Sequence, residues 1–184
     1  MSRLLAALLA ISSAAAADEA WPQFPKAGQF IPMGTVGFSY LTAGNNSLTQ
    51  VQLAPTLLYL PADHLVLGAD FVYRSASSSG TGSTISAWDA DLIGGGAFNL
   101  DPRVSILLLP SVGYARQSLG SFSRSAVVVG ISAPLLVHLA PHFFVGMGPQ
   151  LATEVTASVS GPGINVRTDK QTTFTFQVVF GGWI

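Results

Sequence analysis

Asp70, Arg74, Asp89, Asp91 and Glu154 are the residues of this chain best placed to do chemistry together. Asp70 and Arg74 alternate with Leu67, Ala69, Phe71 and Tyr73; Asp89 and Asp91 alternate with Trp88, Ala90 and Leu92; Glu154 alternates with Leu151, Thr153 and Val155. An extended strand sends successive side chains to opposite faces, so these charges share one face and the other face is apolar. Such a cluster supports two chemistries. Paired, the charges fix strand register inside a closed space, because buried charges persist mainly when paired. Left with more acids than the single Arg can neutralise, they line a path for small cations. Arg74 is expected to pair with one or more of these carboxylates, with Glu154 at a similar height on a later strand.

Hydrolytic chemistry has weaker support. It needs a nucleophile, a base and an orienting acid within hydrogen-bond reach. The histidines are His64, His138 and His142. The first and third lie in or beside short turn-like segments. His138 lies on the polar phase, near the end opposite Glu154, so Ser132 and Glu154 make no triad with it. No catalytic residue is assigned. With no cysteine in the chain and no clustered His or carboxylate spacing, neither a metal site nor a cofactor is expected.

The elements that must hold the charged face follow from composition. The chain has 184 residues, enough for one domain, and is 49% hydrophobic but only 9% charged, against about 25% in soluble domains. Its mean hydropathy is +0.49, yet beyond the first residues no apolar run approaches the roughly 20 residues of a spanning helix. Residues 1–17 read as a secretory signal: Arg3, an apolar core from Leu4 to Ile11, and small residues ending in Ala15-Ala16-Ala17 before Asp18. A retained anchor helix is the rival reading, and its apolar stretch is too short. The near-neutral charge points away from nucleic acid.

Turn signals divide the rest into about eight strand-length segments, 33–42, 48–60, 65–74, 85–98, 104–115, 125–139, 143–157 and 171–184. Pro61 to His64, Asn99 to Arg103 and Ala140 to His142 read as tight turns. Ala43 to Ser47, Ser75 to Thr84, Arg116 to Arg124 and Ser158 to Lys170 read as polar loops, generally longer. On the apolar phase, Tyr40, Tyr73, Trp88, Tyr114 and Phe174 fall at the long-loop ends, and Tyr59, Phe98, Phe143 and Phe180 at the short-turn ends. Aliphatic residues fill the middle. Two aromatic girdles about an aliphatic band match the interfaces of a bilayer, and a soluble core has no reason to sort aromatics to both ends. The expected fold is therefore all-β: an eight-stranded antiparallel up-and-down transmembrane barrel with the apolar face toward lipid.

These features resemble the small outer-membrane barrels of Gram-negative bacteria, the OmpA/OmpX-like superfamily. The resemblance spans the chain after its leader and rests on architecture. It implies a final amphipathic strand recognised by the barrel-assembly machinery. Here Phe174, Phe176, Val178, Phe180, Gly182 and Ile184 share one phase, and the terminal residue is Ile184 rather than the usual aromatic.

The expected organisation is a signal peptide at 1–17, a periplasmic arm at 18–32 and a barrel at 33–184. The expected role is structural or surface-interacting, porin-like in shape, with a lumen filled by a polar plug. The alternatives are a narrow ion-conducting pore and a soluble periplasmic barrel that binds an apolar ligand. The expected partners are outer-membrane lipid, the assembly machinery and a surface-loop partner the sequence does not name. Pro55, Pro110, Pro134 and Pro149 fall inside expected strands. Each removes a ladder donor, so a fully regular ladder at all four is not expected.

Overall fold

The computed structural model describes residues 24–43, 46–79 and 84–184. The leader at 1–17, the first part of the arm and the tips of the loops at 44–45 and 80–83 lie outside the described residues.

The alternating phase of apolar and polar residues builds ten strands in one antiparallel sheet. They are β1 (Phe30–Ala43), β2 (Asn46–Ala62), β3 (Leu65–Ser78), β4 (Thr84–Asp101), β5 (Val104–Leu119), β6 (Phe122–Ser132), β7 (Leu135–Ala140), β8 (Phe143–Gly161), β9 (Ile164–Arg167) and β10 (Thr172–Gly182). β6 and β7 both lie between β5 and β8 and form one stave interrupted at Ala133-Pro134. β9 is a short arm on β8. The result is a ring of eight staves, closed where β10 meets β1.

At the lower end, Asp63-His64, Pro102-Arg103 and Pro141-His142 make two-residue turns. His64 and His142 both adopt a φ of 66°, and each uses its ring to hold the turn: His64 Nδ1 lies 3.0 Å from the Ala97 carbonyl and His142 Nδ1 lies 3.0 Å from that of Trp183. The upper end corrects one expectation. The segment 116–124 is not a long loop: β5 and β6 continue through it and turn at Gly120-Ser121. Likewise β8 runs on to Gly161 and turns back through β9. Above the apolar band polar residues occupy both faces, as in Arg116-Gln117-Ser118, so the alternation that marks a strand fades while the pairing continues. β4 has 18 residues and β8 has 19, against about 9–11 needed to cross a bilayer.

Each of the four prolines Pro55, Pro110, Pro134 and Pro149 sits where one ladder is interrupted. The β2–β3 ladder passes from Leu53↔Tyr73 to Thr56↔Asp70, skipping Ala54 and Pro55. The β4–β5 ladder passes from Ile93↔Ser111 to Gly96↔Leu108, skipping Pro110. Pro134 separates β6 from β7, and its carbonyl accepts the Leu107 N–H at 3.0 Å. The Pro149 carbonyl, facing that break, accepts the Ala133 N–H at 3.0 Å. Proline thus loses its donor only where the facing strand has moved away or found another partner.

The closing seam is short. The β1–β10 ladder runs through Met33↔Gly181 and Gly34↔Phe180. Below it, Phe30 and Ile184 exchange both backbone bonds, at 2.9 and 3.0 Å. Above Gly34, β1 pairs with β2 alone, and above Phe180, β10 pairs with β8 alone.

Gly95 has a φ of +156°, and a Cβ there would run into the Leu108 carbonyl oxygen. A Cβ at Gly94 meets only Leu67 Cδ2, at 3.9 Å. Gly95→Ala should therefore destabilise the folded barrel by about 1–3 kcal/mol, while Gly94→Ala should shift stability far less. Urea titration in detergent micelles, with the folded fraction read by gel mobility of unheated samples, measures both.

Candidate functional site

The lumen divides into two halves of different chemistry. In the lower half the inward phase is apolar. Ile31, Leu58, Leu60, Leu107, Leu136 and Phe144 are fully buried there, with Trp183 at 2% exposure. The chain before β1 adds Phe24, packed at 5.1 Å between ring centroids on Trp183 and at 5.4 Å on His138. Ala27 N–H donates to Asp63 Oδ1 at 2.8 Å and Gly28 N–H to the Leu60 carbonyl at 2.8 Å, which ties residues 24–29 across the lower mouth.

One buried polar chain crosses this floor. His138 Nε2 lies 2.8 Å from Ser105 Oγ, and Ser105 Oγ donates to Asn99 Oδ1 at 2.7 Å. Asn99 Nδ2 donates to the Phe24 carbonyl. Since the Ser105 proton goes to Asn99, His138 must donate from Nε2, and its Nδ1 meets no partner among the described residues. The polarity is opposite to that of an activated serine, whose hydroxyl donates to the imidazole. The pair holds the floor together and pins the N-terminal segment to it.

In the upper half the inward phase carries the charged residues among small and aliphatic ones such as Val72, Ala126 and Val128, and it encloses a cavity of about 540 Å³. Asp70, Arg74, Asp89, Asp91 and Glu154 all line it. Asp70 stands directly opposite Asp91 across β3 and β4, and Asp89 is opposite Val72. Arg74 reaches diagonally to Asp89, Nη1 to Oδ2 at 2.8 Å. Glu154 does not join that pair. It meets Arg124, Nη2 to Oε2 at 2.5 Å and Nε to Oε1 at 3.3 Å, in the two-pronged geometry that suits a guanidinium. Its Oε2 also accepts the Gln171 N–H at 2.8 Å. Arg124 donates further to the Asp169 carbonyl at 2.7 Å, so one ion pair fastens the segment between β9 and β10 to the wall. Gly113 makes room for this face: a Cβ there would occupy the place of the Asp91 carboxylate.

Arg124 is the functional neighbour that sequence reasoning missed, because residues 116–124 read as loop. The signal was its even spacing from Ala126 and Val128, continuing the inward phase of β6. The expected polar plug also takes a different form: polar groups line an open cavity, and apolar side chains fill the lumen beneath it. The cavity reaches the unpaired edges at the seam, with Thr35 and Gly37 of β1 and Thr175 and Gln177 of β10 on its lining. Backbone that lacks a partner strand is tolerated at membrane depth only where it lines such a space.

On the outward face, Tyr40, Tyr73 and Phe174 at the upper end, and Tyr59, Phe98, Phe143 and Phe180 at the lower, are exposed. Tyr114 is also exposed, and half-buried Trp88 packs on it at 5.6 Å. Leu92, at 69% exposure, typifies the aliphatic band between. The apolar phase therefore points out and the charged phase in.

No family model matches the chain, and no curated protein matches it in sequence. Solved structures do match. The outer membrane protein OprG from Pseudomonas aeruginosa is 16% identical, aligned over 86% of this chain and 97% of its own, with a TM-score of 0.52. The fold is that of a small outer-membrane barrel. Looser matches are the translocator domain of the autotransporter NalP from Neisseria meningitidis and Ail from Yersinia pestis. The first is 13% identical over 99% of this chain and 68% of its own, with a TM-score of 0.46. The second is 12% identical over 86% of this chain and 100% of its own, with a TM-score of 0.41.

The two ion pairs should differ in weight. The side chains of Arg124 and Glu154 are 18% and 13% exposed, whereas that of Arg74 is 43% exposed. Arg124→Ala strands Glu154 and should cost about 3 kcal/mol or more. Arg74→Ala should cost less, because solvent already screens its pair. Adding Glu154→Gln to Arg124→Ala should recover part of the loss. Urea midpoints of wild type and the three variants in micelles test the ranking.

Proposed function

We propose that the protein is exported and resides in the outer membrane, lower turns toward the periplasm, as a barrel closed to through-flow. Its role is surface interaction rather than transport. The observation that carries this reading is the division of the lumen. A floor of fully buried aliphatic and aromatic side chains, reinforced by Phe24 and Trp183, stands under the cavity lined by the charged residues. Ions crossing the barrel would have to pass a dry apolar layer. The leader-like residues 1–17, the outward apolar band with aromatics at both ends, and the likeness to OprG all support the location.

The partner-facing part is the polar upper extension. Ser123 and Ser160 share a hydrogen bond at 2.9 Å, and Ser47 N–H donates to Ser79 Oγ at 2.8 Å. These bonds tie neighbouring strands together beyond the apolar band, so contacts made along the described strands there meet a shaped surface. The barrel-assembly machinery would act on β10, whose outward phase carries Phe174, Phe176, Val178 and Phe180.

Reconstituted in a planar lipid bilayer, the full chain should give no steady unitary conductance. Reproducible channels lost in Asp89→Ala and Asp91→Ala would contradict the closed floor and support a narrow cation pore.

A further inference from the structure

Arg116 and Arg167 stand apart from the other charges on the barrel wall. Arg116 continues the outward phase of Val112 and Tyr114 in β5, both exposed, and it is also among the residues that border the cavity. Arg167 is opposite Ser158 in the β8–β9 pair. Direct partners on neighbouring strands point to the same side, so the register traces one row across the wall: Trp88↔Arg116, Arg116↔Ser125, Ser125↔Ser158 and Ser158↔Arg167. Above the lower turns, these arginines are the charged side chains on the outward phase among the described strand residues. Both are exposed, and neither has an ion-pair partner among the described residues.

We propose that this row binds the phosphate groups of an acylated, phosphorylated sugar headgroup in the outer leaflet. The proposal rests on the outer-membrane reading above, with the upper end facing outward. Charge complementarity picks the occupant: two cations, no acid on the outward phase of the described strands, and a start at Trp88 in the upper aromatic girdle, the depth of lipid headgroups. Three strand spacings, about 14 Å, separate the two backbones. Two guanidinium groups on long side chains can therefore hold two phosphates of one headgroup, each by paired N–H donors. The Ser125 and Ser158 hydroxyls between them can donate to sugar or phosphate oxygens. Val127, Val129 and Ile131 of β6, outward and exposed directly below, offer the apolar wall its acyl chains need.

The test uses the full chain in phosphatidylcholine nanodiscs doped with bisphosphorylated lipid A, with fully dephosphorylated lipid A, or with phosphatidylglycerol. Lipid retained by the purified protein is quantified by mass spectrometry. Wild type should enrich the bisphosphorylated lipid over both of the others. Arg116→Gln/Arg167→Gln should lose that enrichment, roughly tenfold for two exposed charge-assisted pairs, while Lys26→Gln, at the lower mouth, should keep it. Equal retention by wild type and the double variant would overturn the proposal. So would equal enrichment of phosphatidylglycerol, which marks a surface that reads charge alone. Heat-modifiable mobility of each sample confirms insertion separately: a chain that stays soluble and never enters the disc overturns the membrane reading instead.

Discussion

A sheet that closes on itself in an apolar medium must give each backbone N–H and C=O a partner or a wet space to face, and most of this structure answers to that constraint. Pro55, Pro110, Pro134 and Pro149 lack donors in staves that have a neighbour on both sides. Each falls at a ladder gap, and two of the gaps are bridged by single carbonyls: that of Pro134 takes the Leu107 N–H, and that of Pro149 takes the Ala133 N–H. The same requirement shapes the seam. β1 and β10 are joined at the lower end, where the surroundings inside are dry, and separate above Gly34 and Phe180, where the lumen is polar.

Dry and wet halves of the lumen follow from a change of sequence pattern along the strands. Near the lower turns, apolar residues occupy both phases, as in Leu57-Leu58-Tyr59-Leu60, Ile106-Leu107-Leu108-Leu109 and Phe143-Phe144-Val145. One phase makes the outward wall and the other packs the floor. Farther up, the inward phase takes in Gly, Ser, Gln, Asp, Glu and Arg beside Ala and Val, and the polar groups need water or one another. Arg74 with Asp89 and Arg124 with Glu154 satisfy part of that need, and the cavity supplies the rest.

The fold was legible because period-two alternation is a long-range signal repeated in every stave. It placed the segments, the outward aromatics and the inward charges. Strand ends were less legible for a local reason. Above the apolar band, Arg116 to Arg124 offers polar residues on both phases, so the period vanishes although hydrogen bonding persists, and Arg124 was lost with it. The floor was hidden differently. Runs such as Ile106 to Leu109 show that both faces are apolar, but only the closed ring reveals that the second face meets its counterparts from other strands. Phe24, far from them in sequence, reaches the floor through contacts that no spacing encodes.

The central claim is the sense of the barrel, apolar phase to lipid and charged phase to lumen. Nitroxide labels placed one at a time along residues 67–73 of β3, in lipid vesicles, test it through collision with oxygen and with a water-soluble nickel complex. Labels at Leu67, Ala69, Phe71 and Tyr73 should favour oxygen, and those at Gly68, Asp70 and Val72 should not, in strict alternation. The opposite phase, or no alternation at all, would contradict the account.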